Sequence, residues 1–249
     1  TSERILEPIR QRAERRGPRS SVAGGARMSE EVLCASRYLI GRMNSMKNEN
    51  YHKLLLAVDA LVLLWSAIKP HDYFTWFLEV IPALIVFIIL YATYNRFRLS
   101  NTLYTIIALH AIVLMIGGKY TYAEVPLGYW MEQWFGWTRN NYDKIGHLMQ
   151  GFTPVLLARE ILLRTSPLRR GKWLTFISIA IPLAFSAFYE MVEWWVSVST
   201  GSAGDSFLGT QGYVFDTQSD MLLCLIGSIV ALLLLSKIHD RALQKVIGT

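Results

Sequence analysis

Six stretches of about twenty mostly apolar residues run through the chain, near 52–70, 73–94, 101–119, 143–163, 173–197 and 216–238. A helix needs roughly 20 such residues to cross about 30 Å of hydrocarbon, where every backbone N–H and C=O must be satisfied internally. The chain therefore reads as an all-α polytopic membrane protein, a six-transmembrane helix bundle. Of its 249 residues 52% are apolar and only 18% charged, which is too greasy for an ordinary soluble domain and excludes a disordered chain. The first stretch is the weakest, because Asp59 interrupts it. Pro82, Pro154 and Pro182 lie inside spans, where the missing N–H bends a helix and is tolerable only beside other helices.

Charge then orients the spans. Net charge is +6, and residues 1–47 carry ten Lys/Arg against five Asp/Glu, so the basic character belongs to a tail and not to a body that binds nucleic acid. The tail, Arg96 and Arg98, then Arg164, Arg169, Arg170 and Lys172, then Lys237, Arg241 and Lys245 fall on one side of the membrane; the other side is poor in Lys and Arg. Basic flanks face the cytoplasm, which places both termini there and predicts a multi-pass membrane protein. Its organisation reads as a tail over 1–47, a membrane domain over 48–240 and a short cytoplasmic end over 241–249. The tail fits two descriptions: an interfacial segment with a short amphipathic helix after Ser29, or an extension upstream of a start at Met46, so that residues 1–45 need not belong to the native protein. Seven of eight tryptophans sit at outer span ends or in the loop 120–142, as an interfacial belt or as the lining of a lipid site. Only Cys34 and Cys224 occur, so a disulfide framework or thiolate metal site is excluded.

Ionisable residues gather at the outer ends of spans four to six. Asp143 and His147 are one turn apart and share a helix face with Gln150 and Gly151. Glu190 and Glu193 share a face near the end of span five, and Asp216 and Asp220 lie one turn apart at the start of span six, above Cys224, Gly227 and Ala231, whose small side chains permit close helix contact. A carboxylate in hydrocarbon is costly unless paired, solvated or protonated. Helix capping accounts for Asp143 and Asp216, but acids at a helix C-terminus, Glu190 and Glu193, oppose the dipole. Two chemistries suit the set. A divalent metal ion would take His147 with Glu190, Glu193, Asp216 and Asp220, leaving an open position for water; alternatively the acids share and pass protons. Under the first, His147, Glu190 and Asp220 are the candidate catalytic residues, acting on an envelope lipid or lipid-linked substrate. Under the second the protein is a proton- or cation-coupled transporter, and a structural or assembly role is the third reading. A phosphate clamp is absent unless Lys144, Lys119 or Arg139 supplies one. Asp59, Glu79 and His110 are scattered singly, and a lone His110 reads as a packing residue. The glycine-rich connection 198–215, with Asp205, is either a turn-rich link or a flap over the site. Neither HExxH, GxSxG, a P-loop nor CxxC occurs, and oligomeric state is not legible.

The combination NNYDKIGHLMQGF, YEMVEWW and GDSFLGTQGYVFDTQSDM resembles the YjdF-type family of uncharacterised inner membrane proteins, over roughly residues 46–240. More distantly, Asp143-Lys144 with His147, Glu190 with Glu193, and Asp216 with Asp220 ahead of Gly227 are similar to VanZ-like membrane proteins, a family associated with glycopeptide (teicoplanin) resistance. The Arg usual before the last acidic pair is missing, with Gln211 and Gln218 in that region. The resemblance implies the membrane fold and the site, and no activity.

Overall fold

A computed structural model describes residues 46–200 and 214–248. Every regular element among them is helical. A helix over 46–67 (α1) is followed by Tyr73–Thr93 (α2), Asn101–Tyr120 (α3), a 3₁₀ turn at Tyr122–Glu124, Pro126–Phe135 (α4), Asp143–Thr165 (α5), Lys172–Thr200 (α6) and Asp216–Ile247 (α7). These helices reproduce the six expected stretches within a few residues, except that α7 continues well past 238. Four of them, α2, α3, α6 and α7, are long and apolar enough to cross a membrane. The readings placed on residues 1–45 and on the connection through Asp205 lie outside the described residues.

The connection 120–142 is not a plain loop, as the sequence had suggested, but contains α4. Pro126 opens it, with a φ already suited to a first turn, and Gly136 closes it in the left-handed region at φ 65°, its N–H bonding to Glu132 O. Asn140 anchors this helix: its Nδ2 donates to Val125 O at 2.9 Å, and its Oδ1 accepts from the Tyr142 N–H at 3.1 Å. The apolar side chains Trp130, Trp134 and Phe135 of α4 remain exposed.

Helix α5 is the centre of the bundle, packing against α3, α6 and α7, while α2 packs on α3. It is held to α7 at three levels. Halfway along, Gly151 lies against the Cys224 carbonyl and Gly227 against the Leu148 carbonyl, where any side chain would collide with backbone; Ser228 Oγ also donates to Gly151 O at 3.2 Å. At the ends of α5 and α7 remote from Asp143, Glu160 is fully buried, accepting from Ser100 N at 3.0 Å, Arg164 at 3.0 Å and His239 Nε2 at 2.9 Å. Arg159 stands 3.1 Å from His239 Nδ1 and 2.7 Å from Asp240. A guanidinium only donates, so His239 Nδ1 accepts and its proton sits on Nε2, facing Glu160. The third level is the site itself.

Outward-facing surfaces are apolar, with Ile88, Phe185 and Leu233 more than 60% exposed. Buried polar residues such as Glu160, Ser178 and Ser228 face inward. This is the distribution expected of helices solvated by lipid and not by water.

Candidate functional site

The first turns of α5 and α7 meet at one end of the bundle, and both begin with an acid, as a helix N-terminus favours. Two cations bind these acids together. Lys144 Nζ donates to Asp216 Oδ1 at 2.7 Å, Asp220 Oδ1 at 2.6 Å and Ser219 Oγ at 3.0 Å, and lies 3.6 Å from Asp143. Arg139 bridges Asp143 at 3.2 Å and Asp216 at 3.0 Å, steadied by Asn141 Oδ1 on its Nε at 3.0 Å. The two residues considered for a phosphate clamp are thus committed to aspartates. Lys119, the third, donates instead to the Trp65 and Ile68 carbonyls at 3.2 and 2.7 Å.

One turn deeper, His147 stands between two helices. Its Nδ1 is 3.8 Å from Glu190 Oε1 on α6 and 3.1 Å from Gln150 Oε1; its Nε2 is 3.7 Å from Asp220 Oδ2 on α7. The Glu190 side chain is only 8% exposed, and its Oε1 has no hydrogen-bond partner. One ligand atom from each of His147, Glu190 and Asp220 lies within 4.8 Å of the others. All three therefore fall within about 2.8 Å of a common centre, and modest rotamer changes would reach the roughly 2.0–2.6 Å of zinc- or calcium-type coordination. Asp143, Asp216 and Asp220 form a second such group, but the Lys144 ammonium already contacts all three.

All six residues picked out by spacing, Asp143, His147, Glu190, Glu193, Asp216 and Asp220, line one cavity of about 150 Å³. Three helices deliver them to the same depth because each pair lies within about 15 Å of its helix end, at 1.5 Å per residue. They do not share one environment: Asp216 is held by Arg139 and Lys144, whereas Glu193 faces the cavity without an ion pair to either cation among the described residues.

Glu79 of α2 and His110 of α3 line the same cavity, which corrects the reading of both as isolated residues. The available signal for Glu79 was its position six residues into its helix, at the depth of the other acids. His110, at mid-helix, had none. Tyr122 and Asn140, from the connection read as a loop, and Tyr189 of α6 complete the wall. Tyr122 is packed against Gly117 and Gly146, and burial pushes its phenol well above the ordinary tyrosine range, so it presents a neutral O–H. Asp59, by contrast, is buried away from the cavity, with Oδ1 unpartnered.

The cavity thus gathers six carboxyl groups, Glu79 among them, against the two cations Lys144 and Arg139. Such an excess attracts positive charge and repels anions.

No solved structure matches the chain. Over 185 residues, 74% of this chain and 88% of the relative, it is 47% identical to the inner membrane protein YjdF of Escherichia coli (strain K12). The family described as predicted membrane protein DUF2238 matches residues 51–241, and with that match covering most of the chain and every site residue just described, the chain belongs to this family of membrane proteins.

Proposed function

We propose that the protein is a six-span bundle of the bacterial inner membrane, with both termini in the cytoplasm, whose cavity opens outward and holds a divalent metal ion for hydrolytic chemistry on an envelope lipid or lipid-linked substrate. The span count draws support from α5, whose charged residues Asp143, Lys144, Arg159, Glu160 and Arg164 all have partners on neighbouring helices or loops. A helix too polar to face lipid can cross a membrane surrounded by other helices. Orientation rests on the Lys/Arg bias. Cysteines introduced at Gln133 and Arg169, in a background lacking Cys34, should be labelled from outside and from inside respectively; the reverse pattern would invert the topology.

The observation that carries the metal reading is the meeting of one imidazole nitrogen and one oxygen from each of two carboxylates, from three different helices, inside a cavity. His147, Glu190 and Asp220 would hold the ion, which when bound supplies Lewis acidity and an activated water. Isothermal titration of detergent-purified protein with Zn²⁺ and Mn²⁺ should give one saturable site per chain, lost in His147→Ala and in Asp220→Asn. Wild-type protein that binds neither ion would refute this reading.

A specific observation favours a second reading, proton- or cation-coupled transport. The two ring nitrogens of His147 face different carboxylates, at 3.8 and 3.7 Å, an arrangement able to pass a proton from one to the other. Proton flux in proteoliposomes that persists without bound metal and stops in His147→Ala would select it.

A further inference from the structure

The cavity has a second wall that the metal set does not use. Glu79 and Glu193 face it with Tyr122 and Tyr189, and His110 lines the same cavity. Glu79 is only 6% exposed, and neither glutamate has a hydrogen bond or ion pair within the described residues. His110 Nε2 is likewise buried without a partner. The nearby cations cannot serve this wall, because Lys144 and Arg139 are held by Asp143, Asp216 and Asp220. A buried carboxylate in this position is costly until a cation or a proton reaches it.

Size and shape select among cations. The volume of about 150 Å³ is that of a cavity able to admit benzene, about six heavy atoms, so it is larger than a bare ion requires and suits a small organic cation. Ring faces of tyrosine attract a cation, while carboxylate oxygens seek N–H donors, which a primary ammonium group has and a quaternary one lacks. Access points the same way: Tyr122 and Ala123 on one side of α4, and Asn140 on the other, line the cavity. Between them α4 exposes Trp130, Trp134 and Phe135, side chains that settle at the headgroup level of a bilayer.

We propose that this wall binds a primary aliphatic ammonium group, with Glu79 and Glu193 as its acceptors. The proposal deepens the functional reading by naming the charged group of the substrate, and it rests on that reading only for the claim that a substrate enters the cavity. An amine of this kind is either the headgroup of a lipid or a free small molecule, and the test separates the two.

Purified protein is titrated with ethanolamine in detergent and, separately, placed in nanodiscs of phosphatidylglycerol containing equal fractions of either phosphatidylethanolamine or phosphatidylcholine. Thermal unfolding is followed by tryptophan fluorescence. Ethanolamine should raise the Tm saturably, with the apparent Kd weakened at least tenfold in Glu79→Gln and in Glu193→Gln, while Glu79→Gln keeps the zinc affinity of the parent. A higher Tm in phosphatidylethanolamine than in phosphatidylcholine, abolished by Glu79→Gln, supports the proposal with the lipid as the source; a response to free ethanolamine with the two lipids equal supports it with a soluble amine. If wild-type protein responds to neither amine, or both glutamine variants respond as the parent does, the proposal is overturned whatever zinc does. Wild-type protein that binds neither zinc nor manganese yet still responds to amines would overturn the metal reading alone.

Discussion

Replacing Lys144 by methionine, nearly equal in length and uncharged, tests whether the ammonium group is what ties α5 to α7 at the site. At 2.6 and 2.7 Å from Asp220 and Asp216, each contact is worth about 6 kcal/mol of gross attraction at an effective dielectric of roughly 20, largely offset by the desolvation of both partners. The measurable quantity is the cost of leaving the acids behind, about 3–5 kcal/mol when one partner of a buried pair is removed. Asp216 keeps Arg139 at 3.0 Å, whereas among the described residues Asp220 is left with only His147 at 3.7 Å. One orphaned acid and not two places the loss at the lower end, about 3 kcal/mol. Removing that acid as well, in Lys144→Met with Asp220→Asn, should restore about half of it. Reversible unfolding in mixed micelles measures all corners of the cycle. Without the ammonium, the oxygens of Asp143, Asp216 and Asp220, within 4.8 Å of one another, keep the Arg139 bridge across Asp143 and Asp216 but lose the cation that contacted all three, so the single variant should gain stabilisation by Mn²⁺ at a position the parent does not use. A loss below about 1 kcal/mol, the scale of an ordinary interhelical hydrogen bond in a membrane, or a double variant less stable than the single one, would refute the reasoning.

Two further outcomes follow from the packing and the caps. Gly227→Val should destabilise by more than about 3 kcal/mol, beyond ordinary overpacking, because its side chain would meet the Leu148 carbonyl; expression and size-exclusion behaviour of the variant check this, and a well-behaved monodisperse protein would contradict the close approach. Asp72 caps α2 by accepting from the Thr75 N–H at 2.6 Å, so Asp72→Ala should cost about 1 kcal/mol. The Thr75 N–H holds the Asp72 carboxyl below its ordinary value, and a lowered folded-state value means stability that is present above the ordinary carboxylate range and lost as pH falls from that range through the lowered folded-state value. The stability difference between parent and Asp72→Ala, measured against pH, should therefore shrink on acidification and stay constant near neutrality.

The sequence by itself determined the class and the depth of things. Length and apolarity are local properties, so the six long helices could be placed to within a few residues apart from the far end of α7, and one-turn spacings put Asp143 with His147, Glu190 with Glu193, and Asp216 with Asp220 on shared faces near helix ends. Depth follows from counting residues along a helix, which is why the six positions picked out by spacing line one cavity. What only the tertiary structure decided was the partner of each charge. That depends on how far each helix is rotated about its axis and how closely it approaches the next, and single-residue steps along a helix turn a side chain by about 100°. Contact of α5 and α7 at Gly151 and Gly227 brings Lys144 onto Asp216 and Asp220 and, at the far end, Glu160 onto His239, a buried pair that no local pattern announces. Glu79 and His110, each alone on its helix, become part of the site only because α2 and α3 close its side. Helix α4 stayed hidden for the opposite reason: at ten residues it is too short for a strong periodic signal, and its proline start and left-handed glycine end are visible only once the helix between them is known.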